Sequence, residues 1–223
     1  ESGNTLVQSI QVRATGEAVV TGETHGMTFP TTPGAFDETF NGPFGTFDGI
    51  VLDLDATGGQ LLWSPYLGGS DDDFLQRAAL GPDGSVYVTG ETISTDYPTT
   101  RGAWSESSVG WDAPVTRLAP DGSALLYSTY LGSAVQGEQA FGLVVDTEGN
   151  AFVAGRTTTG GGSPFPVTPG AFDTTSNGGW DGFIACLDPS GSSVLAATFL
   201  GGSANDSLYA MAAAPDGSLY VTG

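Results

Sequence analysis

Few side chains in this sequence are of kinds that carry out reactions. The one histidine, His25, sits in the polar stretch THGMT, and the one cysteine, Cys186, in the apolar run FIACL. Nucleophilic catalysis needs a base within reach of the nucleophile and a third group that orients the base. No Gly-x-Ser-x-Gly elbow accompanies His25, so the histidine reads as a solvated loop residue and no catalytic residue is assigned. A thiol in an apolar run reads as a buried small hydrophobe rather than as a nucleophile or metal ligand. HExxH, paired histidines and CxxC are absent, which removes the usual zinc signatures.

Oxygen ligands leave calcium as the one metal to weigh. Asp71, Asp72 and Asp73 place three carboxylates in one short link, as a hard cation requires; the competing reading is an Asp-rich solvated turn. Only Asp73 has acidic counterparts later in the chain, Glu138 and Asp206, so a repeated metal site is not expected and no cofactor is assigned. DLDATG at 53–58 opens like a calcium loop, but Thr57 stands where such a loop needs Asp or Asn and Ser64 where it needs Glu, so it is rejected. Trp104, Trp111 and Trp180 are candidates for stacking on sugars, with packing preferred. Asp48, Asp112 and Asp181 follow Phe47, Trp111 and Trp180, and their recurrence points to carboxylates that accept backbone N–H bonds. Asn205-Asp206-Ser207 fits a glycosylation sequon.

The elements that hold these residues repeat. FPTTPGAF at 29–36 returns as YPTTRGAW at 97–104 and FPVTPGAF at 165–172, both intervals being 68 residues. VVTG, YVTG, FVAG and YVTG end at Gly22, Gly90, Gly155 and Gly223, and YLGG, YLGS and FLGG keep the same beat. A fixed period of this length decides the architecture before any motif does. The second copy divides into DFLQRAALG, SVYVTGET, DAPVTRLA and SALLYSTYLG, each of strand length and composition. Asp83-Gly84 and Asp121-Gly122 supply tight hairpin turns between them. The expectation is an all-β chain, a β-propeller of four-stranded antiparallel blades with about 3.3 blades present, preferred over a β-solenoid, whose coils are shorter and lack such hairpins. It is read as one repeat domain over 1–223, with blades at 1–67, 68–131 and 132–200 and a half blade at 201–223. Small residues in the first strand (Ala78-Ala79; Ala140 and Gly142; Ala210 and Ala212–Ala214) place that strand at the crowded axis, with Trp63, Tyr66, Tyr127, Tyr130 and Phe199 of the fourth strand at the rim.

LGGSDDDFLQRAALGPDGSVYVTGETISTDYPTT and GWDAPVTRLAPDGSALLYSTYLGS resemble the SBBP repeat of secreted bacterial and archaeal proteins, a seven-bladed β-propeller family. The resemblance runs over essentially the whole chain and implies seven blades in a closed ring. Arg101 replaces the second proline of the phrase, and the third copy loosens LGGSDDD to LGSAVQGE.

The recurring phrase lies in a long connection between the second and third strands. It reads as a shaped loop in which the second aromatic (Phe36, Trp104, Phe172) packs beside the first (Phe29, Tyr97, Phe165) and the long loops build one face of the disc. With 25 acidic residues against 5 arginines and no lysine, nucleic acid and anionic membranes are poor partners. No run of 18 apolar residues or basic leader occurs in these residues, so neither a membrane span nor a signal peptide is read. Composition suits an extracellular or cell-surface prokaryotic protein. The favoured reading is a non-enzymatic scaffold, adhesion or surface-assembly module; the alternatives are a glycan-binding propeller and the non-catalytic part of a larger secreted enzyme. Partners are expected to be further blades of the polypeptide, which is expected to continue past Gly223, or other copies of the chain, with glycans next.

Overall fold

The computed structural model describes residues 3–132, 137–158 and 165–223. The strands are β1 (Thr5–Val12), β2 (Ala18–Thr24), β3 (Asp48–Leu54), β4 (Leu61–Trp63), β5 (Tyr66–Leu67), β6 (Asp73–Leu80), β7 (Val86–Thr92), β8 (Ala113–Leu118), β9 (Leu125–Leu131), β10 (Gln139–Val145), β11 (Ala151–Thr158), β12 (Trp180–Leu187), β13 (Val194–Leu200), β14 (Ala210–Ala213) and β15 (Leu219–Thr222). They form antiparallel meanders in chain order: β1-β2-β3-β4 with β5 also on β3, then β6-β7-β8-β9, β10-β11-β12-β13 and the pair β14-β15. The propeller architecture read from the period is therefore present, with one local difference. The fourth strand of the first blade breaks into β4 and β5 at Ser64-Pro65, because proline has no N–H to give the ladder; Thr129 at the matching place leaves β9 continuous.

The hairpin turns follow from their Asp-Gly pairs. Gly84 N–H bonds the Gly81 carbonyl at 3.1 Å and Gly81 N–H the Ser85 carbonyl at 2.8 Å, which makes a three-residue loop closed by Gly84 at φ 84°. Such a loop ends in a left-handed residue, and glycine takes that conformation without strain. The first strand of each full blade carries a bulge, between Val7 and Ser9, Leu75 and Arg77, and Ala140 and Gly142. Opposite the bulges lie Gly22, Gly90 and Gly155, where a β-carbon would strike the carbonyls of Leu6, Phe74 and Gln139. That close approach accounts for the glycine that ends VVTG, YVTG and FVAG.

The first strands β1, β6, β10 and β14 pack against one another in succession, so the strand richest in small residues is the innermost one. Two hydrophobic cores form between blades. One joins Val19, Val51 and Trp63 of the first blade to Leu75, Ala78 and Val88 of the second. The other joins Ala79, Tyr87 and Tyr127 of the second to Leu143, Val153 and Phe183 of the third. Ala78 and Ala79 face opposite cores, as alternation along a strand requires. A blade thus buries each face only by having a neighbour, the condition that makes repeat units cohere.

Candidate functional site

The recurring phrase starts on the end of the blade where long connections leave, but it does not stay there. Thr32 N–H bonds the Ser64 carbonyl at 3.3 Å, Ser64 N–H returns to Thr32 Oγ1 at 2.9 Å, and Tyr66 N–H reaches the Asp37 carbonyl at 2.9 Å. Thr100 with Ser128 and Thr168 with Ala197 make the same exchange, as do Tyr130 with Ser105 and Phe199 with Asp173. The phrase therefore drapes along the outer edge of the fourth strand and occupies hydrogen-bonding groups that an open edge would offer to another chain.

Its two aromatics do different jobs. The first is anchored within its own blade: Phe29 lies against Tyr66, Tyr97 against Tyr130 and Phe165 against Phe199, at centroid distances of 6.1, 6.2 and 6.3 Å. Tyr66 donates to the Gly26 carbonyl at 2.6 Å and accepts from Phe29 N–H at 2.9 Å; Tyr130 donates to the Ser94 carbonyl at 2.8 Å. The second aromatic does not pack beside the first, as the sequence suggested, but reaches the next blade. Phe36 N–H bonds the carbonyl of Gly122, and Trp104 N–H that of Gly191, at 2.9 and 2.8 Å. Those glycines sit flat on Trp63 and Tyr127, so that a β-carbon at either would lie 2.5 Å from a ring carbon. Each phrase with its fourth strand thus forms a clasp around the outer hairpin turn of the following blade. The rim, rather than a face, is where the repeated loops act. Arg13, bonded to Asp53 at 3.1 Å and to the Gly84 carbonyl at 2.8 Å, and Arg117, bonded to Asp83 at 2.7 Å and to the Pro189 carbonyl at 2.8 Å, tie the same joints from the other side.

At the opposite end of each joint two carboxyl groups face each other. Asp48 opens β3 and is fully buried; its Oδ2 accepts Asn41 N–H at 2.7 Å. Across from it Asp73, also fully buried, accepts Thr92 and Ser94 hydroxyls and Gly69 N–H. Burial pushes the Asp48 carboxyl up to about 6 and the Asp73 carboxyl up to about 7, since desolvation disfavours the charged form. Asp112 with Glu138 and Asp181 with Asp206 occupy the same places, around Gly132 and Gly201 as the first pair is around Gly68.

The calcium candidates separate rather than converge. Asp72 Oδ1 accepts Phe47 N–H at 2.9 Å, Asp71 Oδ1 accepts Asp72 N–H at 3.1 Å, and Asp73 points inward to Thr92 and Ser94. Among the described residues no group of three or more His, Cys, Asp or Glu side chains is placed to hold a metal. Trp104 lies on the rim with 42% of its surface exposed; Trp111, 38% exposed, lies parallel to Phe74 at 6.4 Å. That pair continues a row through Phe47 to His25, which stacks on Phe47 and whose Nδ1 bonds the Thr46 carbonyl at 2.8 Å. Trp180 is half-buried under the Arg156 guanidinium, 4.3 Å from its ring. Asn205 is exposed, with its Oδ1 accepting Trp180 N–H at 3.1 Å. Cys186 is buried and its thiol pushed up to about 11 by that burial, the opposite of what a reactive cysteine needs.

Sequence reasoning noticed both halves of the carboxyl pairs and missed that they meet. The signal was available: residues 48 and 73, 112 and 138, and 181 and 206 stand 25, 26 and 25 apart. The two joint-bridging arginines carried no comparable signal.

Residues 126–162 match the model of the SBBP beta-propeller repeat. The match runs from within the fourth strand of the second blade to just past the second strand of the third, across one of the joints just described. No curated protein matches the chain. That match identifies one repeat of the SBBP beta-propeller kind at residues 126–162, and four-stranded blades carrying the same phrases at the same period stand on either side of it.

Proposed function

We propose that the chain is a non-enzymatic scaffold module of an extracellular prokaryotic surface protein, whose repeated residues serve to add blade to blade. The observation that carries this is the clasp: the phrase written three times is spent on the edge of its own blade and on the outer turn of the next. A net charge of −20 without lysine supports the extracellular placement. The partner is the outer hairpin of a further repeat. Phe172, the third copy of the clasping aromatic, is 86% exposed, and it borders a groove of about 400 Å³ with Ile184, Leu195 and Ala196. This is the position that the next outer turn fills in the first two joints. Appending a copy of residues 91–131 after Gly223 completes a fourth blade on this reading. A tryptophan reporter in Phe172→Trp should then shift its emission to the blue and the melting temperature should rise. An unchanged emission in a folded, extended chain would refute the proposal.

The exposed Trp111 beside Phe74 favours a second reading, glycan binding along the aromatic row. A glycan array in which wild type gives signal and Trp111→Ala does not would establish it; equal or absent signal in both excludes it.

A further inference from the structure

The carboxyl pairs leave an acceptor without a donor. Asp48 Oδ1 and Asp181 Oδ1 are buried and have no hydrogen-bond partner, and each points at the glycine that its partner carboxyl also approaches. A β-carbon built on Gly68 would lie 3.0 Å from Asp48 Oδ1 and 2.7 Å from Asp73 Oδ2; one built on Gly201 would lie 2.6 Å from Asp181 Oδ1 and 3.0 Å from Asp206 Oδ2. At the middle joint a β-carbon built on Gly132 would strike Asp112 Oδ1 and lie 2.9 Å from Glu138 Oε2, so those two carboxyls converge on one glycine in the same way. The outer oxygens of Asp181 and Glu138 are occupied, Asn177 N–H donating to Asp181 Oδ2 at 2.5 Å and the Thr157 hydroxyl to Glu138 Oε1 at 2.7 Å, while the facing oxygen Asp206 Oδ2 accepts Gly202 N–H at 2.7 Å.

We propose that Asp48 and Asp73, at the joint between the first two blades, share a proton carried on the otherwise partnerless Asp48 Oδ1 and donated to the facing Asp73 carboxylate, so that this joint is latched by an acid–carboxylate hydrogen bond that loosens as pH rises. Two like charges this close in a dry site cannot both ionise without large cost, and a shared proton removes one charge while satisfying the orphan acceptor. Among the described residues no basic group offsets the first pair: the charged and titratable groups that act on it are Asp37 and, through their phenols, Tyr66, Tyr97 and Tyr130. Tyr130 also faces Asp112, and the Arg156–Trp180 stack lies beside the third pair. A bridging calcium fits poorly, because it takes six to eight oxygens and Asp73 already accepts three donors.

The sign follows from linkage. Burial raises Asp48 to about 6 and Asp73 to about 7, above their unfolded values, so the pair is doubly protonated below about pH 6, holds the single shared proton between about 6 and 7 and loses it above; the stabilisation is complete below about pH 4 and is lost as pH rises through 6 to 7. While a joint keeps a proton that the unfolded chain has released, the folding constant falls by up to about tenfold per pH unit. Glu91, pushed up to about 7 by burial, with Glu23 and Asp53 raised for the same reason, acts in the same direction. The test is therefore a comparison with variants.

Urea unfolding from pH 4.5 to 8.5 should show wild type losing stability with rising pH, while Asp48→Asn, whose amide donates to Asp73 at every pH, keeps more of its stability at pH 8 and has a shallower slope. A folded Asp48→Asn protein with the full wild-type slope would overturn the latch. So would stabilisation at pH 8 by added calcium that Asp48→Asn abolishes, which would assign the joint to a cation. Infrared difference spectra of the unmodified protein give an independent readout: a protonated-carboxyl band should disappear with a midpoint between pH 6 and 7 in wild type and lose amplitude in Asp48→Asn. Its absence from wild type at pH 5 also overturns the proposal.

Discussion

Gly122→Ala and Gly191→Ala should each cost about 3–4 kcal/mol, whereas Gly58→Ala, at the matching turn of the first blade, should cost only about 1–2 kcal/mol. The three glycines have the same backbone conformation, with φ of 67°, 67° and 69°. All three substitutions therefore pay the same left-handed strain, roughly 1–2 kcal/mol for a residue with a β-carbon. The difference comes from what the new methyl meets. At Gly58 nothing lies within 4 Å, while at Gly122 and Gly191 it would enter the rings of Trp63 and Tyr127. Both rings are almost fully buried and clamped between blades, so relief requires the outer turn to back away from the clasp, an overpacking cost of about 1–3 kcal/mol. Urea unfolding of the three variants measures the contrast. Equal losses at Gly58 and Gly122 would show that turn strain is the whole effect and that the clasp contributes nothing.

That contrast marks where the sequence could be read and where it could not. Strand number, order and antiparallel pairing follow from the 68-residue period and from pairs such as Asp83-Gly84, because these signals are local. The small residues of β6 and β10 announced the inner strand for the same reason: crowding at an axis restricts residue size whatever the neighbours are. The joints were illegible because their partners are distant in the chain and belong to different repeats. Phe36 meets Gly122, and Trp104 meets Gly191, across more than a full repeat, and nothing within FPTTPGAF says which aromatic stays home. Asp48 and Asp73 are each recognisable as recurrent acids, yet their meeting depends on how far one twisted sheet is rotated against the next. Asp71 and Asp72 illustrate the reverse case: adjacency in sequence suggested a shared ligand, but the link bends at Ser70-Asp71, where Asp71 Oδ1 takes the Asp72 N–H and Asp72 Oδ1 the Phe47 N–H.

The largest single side-chain effect should fall on Tyr130. Tyr130→Ala is expected to cost about 3–5 kcal/mol, as for other buried aromatics cut back to alanine, and Tyr130→Phe about 1–2 kcal/mol. The ring is fully buried in the core between the first and second blades, and its hydroxyl donates to the Ser94 carbonyl at 2.8 Å, three residues before the second phrase. Alanine removes both contributions; phenylalanine removes only the tether. Against a total stability of about 5–15 kcal/mol, the alanine variant stands near the threshold of unfolding and the phenylalanine variant well above it. The two also differ in where the loss is felt. Tyr130→Phe should lower hydrogen-exchange protection over residues 94–105, the segment that edges β9 and ends in Trp104, while protection in the inner strand β6 changes only by the global amount. Phe199, which fills the same position in the third blade without a hydroxyl, shows that the ring can serve without the tether. If Tyr130→Phe loosened β6 as much as the phrase, the hydroxyl would belong to the core and the view of the phrase as a separately anchored clasp would fail.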